Sequence, residues 1–505
     1  MSNKKIYTNT IAQIAGKVMT ALISIFLIKI LTSYLDVAGY GLYSKIYNYL
    51  SIFAVIADMG LYTITVRELS KYSQDALMVE KISSNILTLR TISGFTIIGL
   101  SLIIAPLLSG YNSNMALIGI LIAGGFTLLG LMNSSLMSYL QATLRAEFSF
   151  VANTAGKMLT FGMIVLFSSI LFPLYSGVSE TMRYTLVMIA GLSGNLLMLS
   201  LTWWYTRKYI NIRFAWDPLY IKEILTLSLP YGLALFLGAV FFKVDTILLS
   251  VMEEPLIADI AIALYALPMK IIEVGMMYGT VFLNSVLPVL TTNMEKKNTQ
   301  ETKKIIYNAF QILFGFGLGL SAFLMIYGKE VLLLLGGKKF TETTLQTYTT
   351  GDAMQIVSWV FLFYFISSLL TYTLIARGEQ KKMIWINSIV ALINIIGNLV
   401  FIPEYSFIGS AWVTVISQFL LILITGWYVK NDISHKTMVF FAFPMIGVSL
   451  LAGYISYIFT STSLQSSSGG TDLFIHFILT GSVFGVIYLG GWWGTRKLIQ
   501  IGISH

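Results

Sequence analysis

Apolar runs of 17 to 30 residues recur from one end of this 505-residue chain to the other, separated by charged or turn-rich breaks. A helix needs ~20 residues to cross the ~30 Å hydrocarbon core of a bilayer, so each run is long enough to span. The breaks place fourteen spans near 8–32, 40–66, 84–108, 115–140, 148–172, 184–206, 223–251, 260–291, 305–327, 349–376, 383–402, 406–429, 437–460 and 473–494. The expected fold is an all-α polytopic membrane protein. Only 11% of residues are charged, where a soluble domain carries ~25%. "VLLLLGG" at 331–337 is too short to span and is expected to cap the neighbouring loop. The first span is expected to be retained, because it is long and lacks an A-x-A-like cleavage site.

Counting loop by loop, with the N-terminus inside, 21 lysines and arginines fall on inward segments and 4 on outward ones. That bias predicts both termini in the cytoplasm of a cell whose inner or plasma membrane holds the chain. It also accounts for the net charge of +9 without a nucleic-acid partner. Cysteine is absent, and His435, His476 and His505 lie far apart. Thiolate chemistry is therefore excluded, and neither a metal site nor any other cofactor is expected.

Seven cations remain inside the spans: Lys17, Lys29, Lys45, Arg90, Lys157, Lys243 and Lys270. The embedded acids read from the sequence are three: Asp58, Asp245 and Glu273. A charge at a helix centre costs about 2.5–3.5 kcal/mol on insertion scales, so few of these face lipid. Lys29, Lys45 and Arg90 lie close enough to span ends to snorkel; Lys17, Lys157, Lys243 and Lys270 are deeper. Lys243 and Asp245 are two residues apart and so point to different sides of one helix. Lys270 and Glu273 share a face. Asp245 and Lys270 lie at similar depth, which suggests that they pair and leave Lys243 facing a polar path. Asp58 is either a proton or sodium coupling site or the partner of Arg67 or Arg90. Asn153, Asn394 and Asn398 suit either sugar hydroxyls or bonding between helices.

Short echoes occur in the same order in both halves: "ILTS" and "ILLS", "LYSKIY" and "LYALPM", "LRAEFSFVAN" and "IARGEQKKMIWIN". They suggest two parallel six-helix lobes, near 1–210 and 220–430, followed by two further helices over 437–495. In transporters with such repeats the substrate sits between the lobes. Pro268, Pro288, the "SLPYG" opening of the seventh span and Gly124–Gly125 are candidate interruptions.

The opening "NTIAQIAGKVMTALISIFLIKILTSYLDVAGYGLYSKIY", with "IADMGLYTITVREL" and "FKVDTILLS", resembles polysaccharide-type (Wzx-like) oligosaccharide flippases. These belong to the multidrug/oligosaccharidyl-lipid/polysaccharide (MOP) flippase superfamily. The resemblance implies transport of a polyprenyl-pyrophosphate-linked oligosaccharide, a polysaccharide repeat unit such as an O-antigen, from the inner to the outer leaflet by alternating access. Glycan polymerase or assembly proteins would be partners. It also implies that basic residues of spans 1, 2 and 8 (Lys17, Lys29, Lys45 and Lys270) meet the pyrophosphate. Seven embedded cations against three acids give an excess of positive charge that suits an anion crossing a low-dielectric region, so Arg90, Lys157 and Lys243 are expected to line the pyrophosphate cavity together with those four. The resemblance further implies that the lipid II branch carries arginine at these places; this chain has lysine, a point charge without the bidentate fork of arginine, which makes lipid II the less favoured cargo. A cation-coupled drug antiporter of the multidrug and toxic compound extrusion (MATE) type would prefer an acidic cavity. A membrane glycosyltransferase or polymerase would need convergent catalytic groups in an outer loop, and 328–348 supplies only Glu330 and Glu342. No enzyme is expected.

Overall fold

A computed structural model describes residues 3–72, 74–171, 179–342, 347–463 and 470–503, with the side chains at 3–15, 17, 146, 170–171, 255–256, 459–463, 470–476 and 499–503 left aside. The described elements are helical. They are α1 (Asn3–Tyr34), α2 (Val37–Asp58), α3 (Leu61–Lys71), α4 (Ala76–Ile104), α5 (Asn114–Ala142), α6 (Ala146–Leu166), α7 (Glu180–Thr206), α8 (Pro218–Met252) and α9 (Pro255–Glu295). They continue as α10 (Thr299–Gly336), the single turn α11 (Lys338–Thr341), α12 (Thr350–Ala376), α13 (Gln380–Val429), α14 (His435–Ser463) and α15 (Gly470–Ile503).

Among the described residues, twelve helices are long and apolar enough to cross a membrane. One of them, α13, is two helices joined at a kink, where Ser406 has φ 51° and ψ −137°. The described apolar part of α1, Val18–Tyr34, is shorter than these. α13 thus holds two of the spans read from the sequence, and Val18–Tyr34 falls within the first of them apart from its last two residues. The protein is a multi-pass membrane protein.

Helix starts follow local chemistry. Asp36, Asp75, Ser113, Ser179, Asp217 and Asn298 each accept a bond from a backbone amide of the first turn that follows. Thr349 and Asp352 form a reciprocal capping box ahead of α12.

Three details differ from the sequence reading. "VLLLL" at 331–335 is no loop cap but the last turns of α10. "SLPYG" lies inside α8, which starts at Pro218; Pro268 and Pro288 lie inside α9 and Gly124–Gly125 inside α5, without breaking the helix. The second span does break: α2 ends at Met59 (φ 43°) and Gly60 (φ 71°), and the chain restarts as α3.

The chain divides into two compact units, Met1–Ala263 and Leu264–His505, with the border inside α9. In the first, α2 packs on α4, α5 and α8, while α1, α6 and α7 pack in sequence, and α7 meets α5. In the second, α12 lies between α10 and α13, and α14 pairs with α15 beside α10. The repeat proposed from the sequence is a statement about connectivity, which packing into units neither restates nor replaces.

Candidate functional site

Charges embedded in the first unit sit at two levels along α2. Near its start, Lys45 is buried, with 3% of the residue exposed, and its ammonium lies inside the unit. It stands 2.5 Å from the Asp259 carboxylate and donates to the Gly110 carbonyl at 2.7 Å. The Tyr111 ring centroid is 5.4 Å away. Gly41, one turn before Lys45, makes the approach possible: a Cβ there would lie 1.7 Å from the Asp259 carbonyl oxygen. Gly110 faces Ser250 in the same way, with 2.1 Å to its carbonyl oxygen. Asn48 adds a bond to the Thr246 hydroxyl at 3.0 Å.

At the other end of α2, Asp58 forms an ion pair with Arg90, which also donates to the Ser134 hydroxyl. Arg90 is fully buried. Beside this pair Tyr62 donates to Gln141 at 2.8 Å. The break in the chain lies here too: a Cβ on Gly232 of α8 would come within 2.5 Å of the Met59 backbone. With Arg90 fully buried and Asp58 partly so, the pair and the Ser134 bond tie α2, α4 and α5 together, because removing Asp58 strands the Arg90 charge.

These placements correct two expectations. Lys45 and Arg90 do not snorkel; both are buried against protein carboxylates. Asp58 is the partner of Arg90. Asp259 was absent from the sequence list of embedded acids. The signal for it was "GLYSK": Gly41 and Lys45 lie one turn apart on α2, a small residue admitting a neighbouring backbone and a cation ready to meet what that backbone carries.

The remaining positions are dispersed. Lys29 is exposed on α1, and Lys243 is half-buried on α8. Lys157 donates to the Ser24 hydroxyl at 2.9 Å, tying α6 to α1. Lys17 lies on α1, but its side chain falls outside the described residues. Asp245 is fully buried on α8. In the second unit Lys270 meets Glu273 at 2.9 Å, with half of the lysine side chain exposed. Asn394 and Asn398 are fully buried. They bond Ser417 at 3.3 Å and Ser410 at 2.7 Å across the halves of α13, the role of bonding between helices. Asn153 is half-buried on α6. No group of three or more His, Cys, Asp or Glu suited to a metal occurs among the described residues.

Comparison with known proteins gives the family and the fold. Residues 6–294 match the family described as "Polysaccharide biosynthesis protein", and residues 230–400 match the MatE family. The capsular polysaccharide biosynthesis protein CapF of Staphylococcus aureus is 26% identical over 235 residues, 45% of this chain and 55% of that protein. The match thus spans about half the length of that relative. The lipid II flippase MurJ in an inward closed conformation shares the fold, with a TM-score of 0.71 at 15% identity over 98% of this chain and all of that one. So does an inward-facing MATE family multidrug transporter of the MOP superfamily, with a TM-score of 0.64 at 13% identity over 84% and 98%. The chain belongs to the polysaccharide biosynthesis protein family.

Proposed function

From that membership we propose that the protein is a flippase that moves a polyprenyl-pyrophosphate-linked oligosaccharide from the inner to the outer leaflet by alternating access. The observation that carries this reading is the family match over 6–294, on a chain with twelve described helices fit to cross a bilayer. The charge distribution supports it. With Asp259 included, seven embedded cations stand against four acids, an excess suited to an anionic headgroup. With Lys45 and Arg90 turned to carboxylates, the pyrophosphate role falls to Lys17, Lys29, Lys157, Lys243 and Lys270. Lys270 would exchange Glu273 for the phosphate. The two halves act as parallel six-helix repeats, with both termini cytoplasmic in the cell membrane, and the protein carries out no covalent chemistry. Glycan polymerase or assembly proteins are proposed partners downstream. A proton or sodium ion driving the cycle through Asp58 would have to displace the Arg90 guanidinium.

The test is reconstitution in proteoliposomes with a fluorescent polyprenyl-pyrophosphate oligosaccharide, scored by its exposure to a membrane-impermeant sugar-oxidising reagent. Accelerated exposure that falls severalfold in Lys29→Met, Lys157→Met and Lys243→Met is expected. Exposure equal to that of empty liposomes overturns the reading. The MatE match at 230–400 favours one alternative, cation-coupled drug efflux; ion-gradient-dependent dye export by the same vesicles would establish it instead.

A further inference from the structure

The kink in α13 opens a cleft of 660 Å³ within the second unit, lined by Tyr348, Asp352, Gln355, Phe401, Tyr405 and Trp412, with isoleucines filling the gaps. Three helix faces converge on it. Asp352 and Gln355 lie one turn apart at the start of α12, Phe401 and Tyr405 one turn apart before the kink, and Trp412 on the segment after it. The bend has a local cause. Pro403 removes a backbone donor, and Ser406 occupies a conformation that L residues seldom adopt. The Asn398–Ser410 bond at 2.7 Å and the close passage of Gly409 beside the Phe401 carbonyl hold it in place.

The chemistry of the lining is selective. Phe401, Tyr405 and Trp412 are each more than a third exposed; their flat apolar faces match the C–H faces of a pyranose ring. The Asp352 carboxylate uses Oδ2 to cap α12, accepting from the Thr349 amide and hydroxyl at 2.7 and 2.8 Å. Oδ1 and the exposed Gln355 amide make no side-chain bond among the described residues, so both can meet sugar hydroxyls. Among the described residues no lysine, arginine or histidine lines the cleft, which disfavours phosphate, and the carboxylate disfavours uronic acids. A lipid tail would leave Asp352 and Gln355 without partners. The volume suits one or two sugar rings, within the ~300–1,000 Å³ of small-molecule sites.

We propose that this cleft is a carbohydrate subsite that takes a neutral hexose or N-acetylhexosamine ring, separate from the lysines assigned to the pyrophosphate. It rests on the flippase reading only for where the sugar comes from. The protein is placed in nanodiscs of phosphatidylethanolamine and phosphatidylglycerol, free of sugar detergents. Saturation-transfer NMR is then run with glucose, galactose, mannose, N-acetylglucosamine, N-acetylgalactosamine and glucuronate. At least one neutral sugar saturates and glucuronate does not. Trp412→Ala and Tyr405→Ala each weaken binding about tenfold, the equivalent of one aromatic contact. Trp412→Phe, which keeps a ring, retains it and controls for folding. Failure of every neutral sugar to saturate, unchanged binding in both alanine variants, or displacement of the sugar signal by phospholipid alone overturns the proposal. Sugar binding with no lipid-linked oligosaccharide flipping in proteoliposomes would overturn the flippase reading and leave the subsite standing.

Discussion

At Met59–Gly60 the chain leaves α2 through two left-handed residues, with the buried Arg90 paired to the partly buried Asp58 alongside. At Ser406 it bends α13 with hydroxyl and amide groups for support, Asn394 and Asn398 bonding Ser417 and Ser410. The first break is secured by a buried guanidinium held to a carboxylate and by a glycine contact between backbones; the second by neutral polar bonds, each worth little, and by a proline. Charge makes a lock that fails abruptly when one partner goes. Neutral bonds yield by degrees, because the loosened state finds other partners.

The largest effect is expected at the charged break. Asp58→Asn leaves the Arg90 guanidinium buried and unpaired, which costs about 3–5 kcal/mol. The double variant Asp58→Leu with Arg90→Met should recover most of the lost thermal midpoint, measured by aggregation on heating; no recovery would mean that charge is not what holds this break. Next comes Gly232→Ala, which forces a Cβ to within 2.5 Å of the Met59 backbone and should cost about 1–3 kcal/mol. Gly60→Ala, at φ 71°, should cost about 1–2 kcal/mol.

At the neutral break Asn398→Ala should cost only ~0.6 kcal/mol, and at most ~1.7. Ser406→Gly should raise stability by about 1 kcal/mol by relieving the backbone, read from the same melting curves. If Asn398→Ala proves as damaging as Asp58→Asn, the contrast between the two breaks collapses.

The smallest effect concerns an exposed ion pair that serves as a control. Lys81 lies 2.7 Å from Asp217, which caps α8. The hydrogen bond from Lys81, with those of the Tyr220 and Leu219 amides, holds the Asp217 carboxyl below its usual range. A folded value below the unfolded one gives stability that is complete above the ordinary carboxylate range and lost as pH falls through the folded value. The melting difference between the wild type and Asp217→Asn should therefore shrink on acidification. A constant difference would show that the cap, and not the charge, is what matters.

The long apolar helices were legible because a bilayer imposes a length on each helix and the breaks between runs are polar. The bend near 402–406 was legible too, since "FIPEYS" separates two apolar runs. The break at Met59–Gly60 was hidden inside an unbroken apolar stretch. Only the left-handed conformation of one glycine and its neighbour makes it, and a lone glycine in a helical pattern carries little signal. The prolines misled in the opposite sense, since Pro230, Pro268 and Pro288 are carried inside continuous helices. The pairings were partly legible. Lys270 with Glu273 follows from helical spacing, and Arg90 was one of two candidates for Asp58. Lys45 with Asp259 joins residues more than two hundred positions apart, and no spacing rule reaches that far.

The break ahead of α3 has a mechanical side. This helix is 11 residues long, so it is an arm of about 16 Å at 1.5 Å rise per residue. It is anchored at its near end by Gly60 against Tyr231 and Gly232 and braced by the Tyr62–Gln141 bond. Turning the arm by ~10° about Gly60 would sweep its far end, at Lys71, through about 3 Å. A pivot of two residues thus offers the fold leverage: a small rotation beside a fixed ion pair becomes a displacement of side-chain size at the end of the arm.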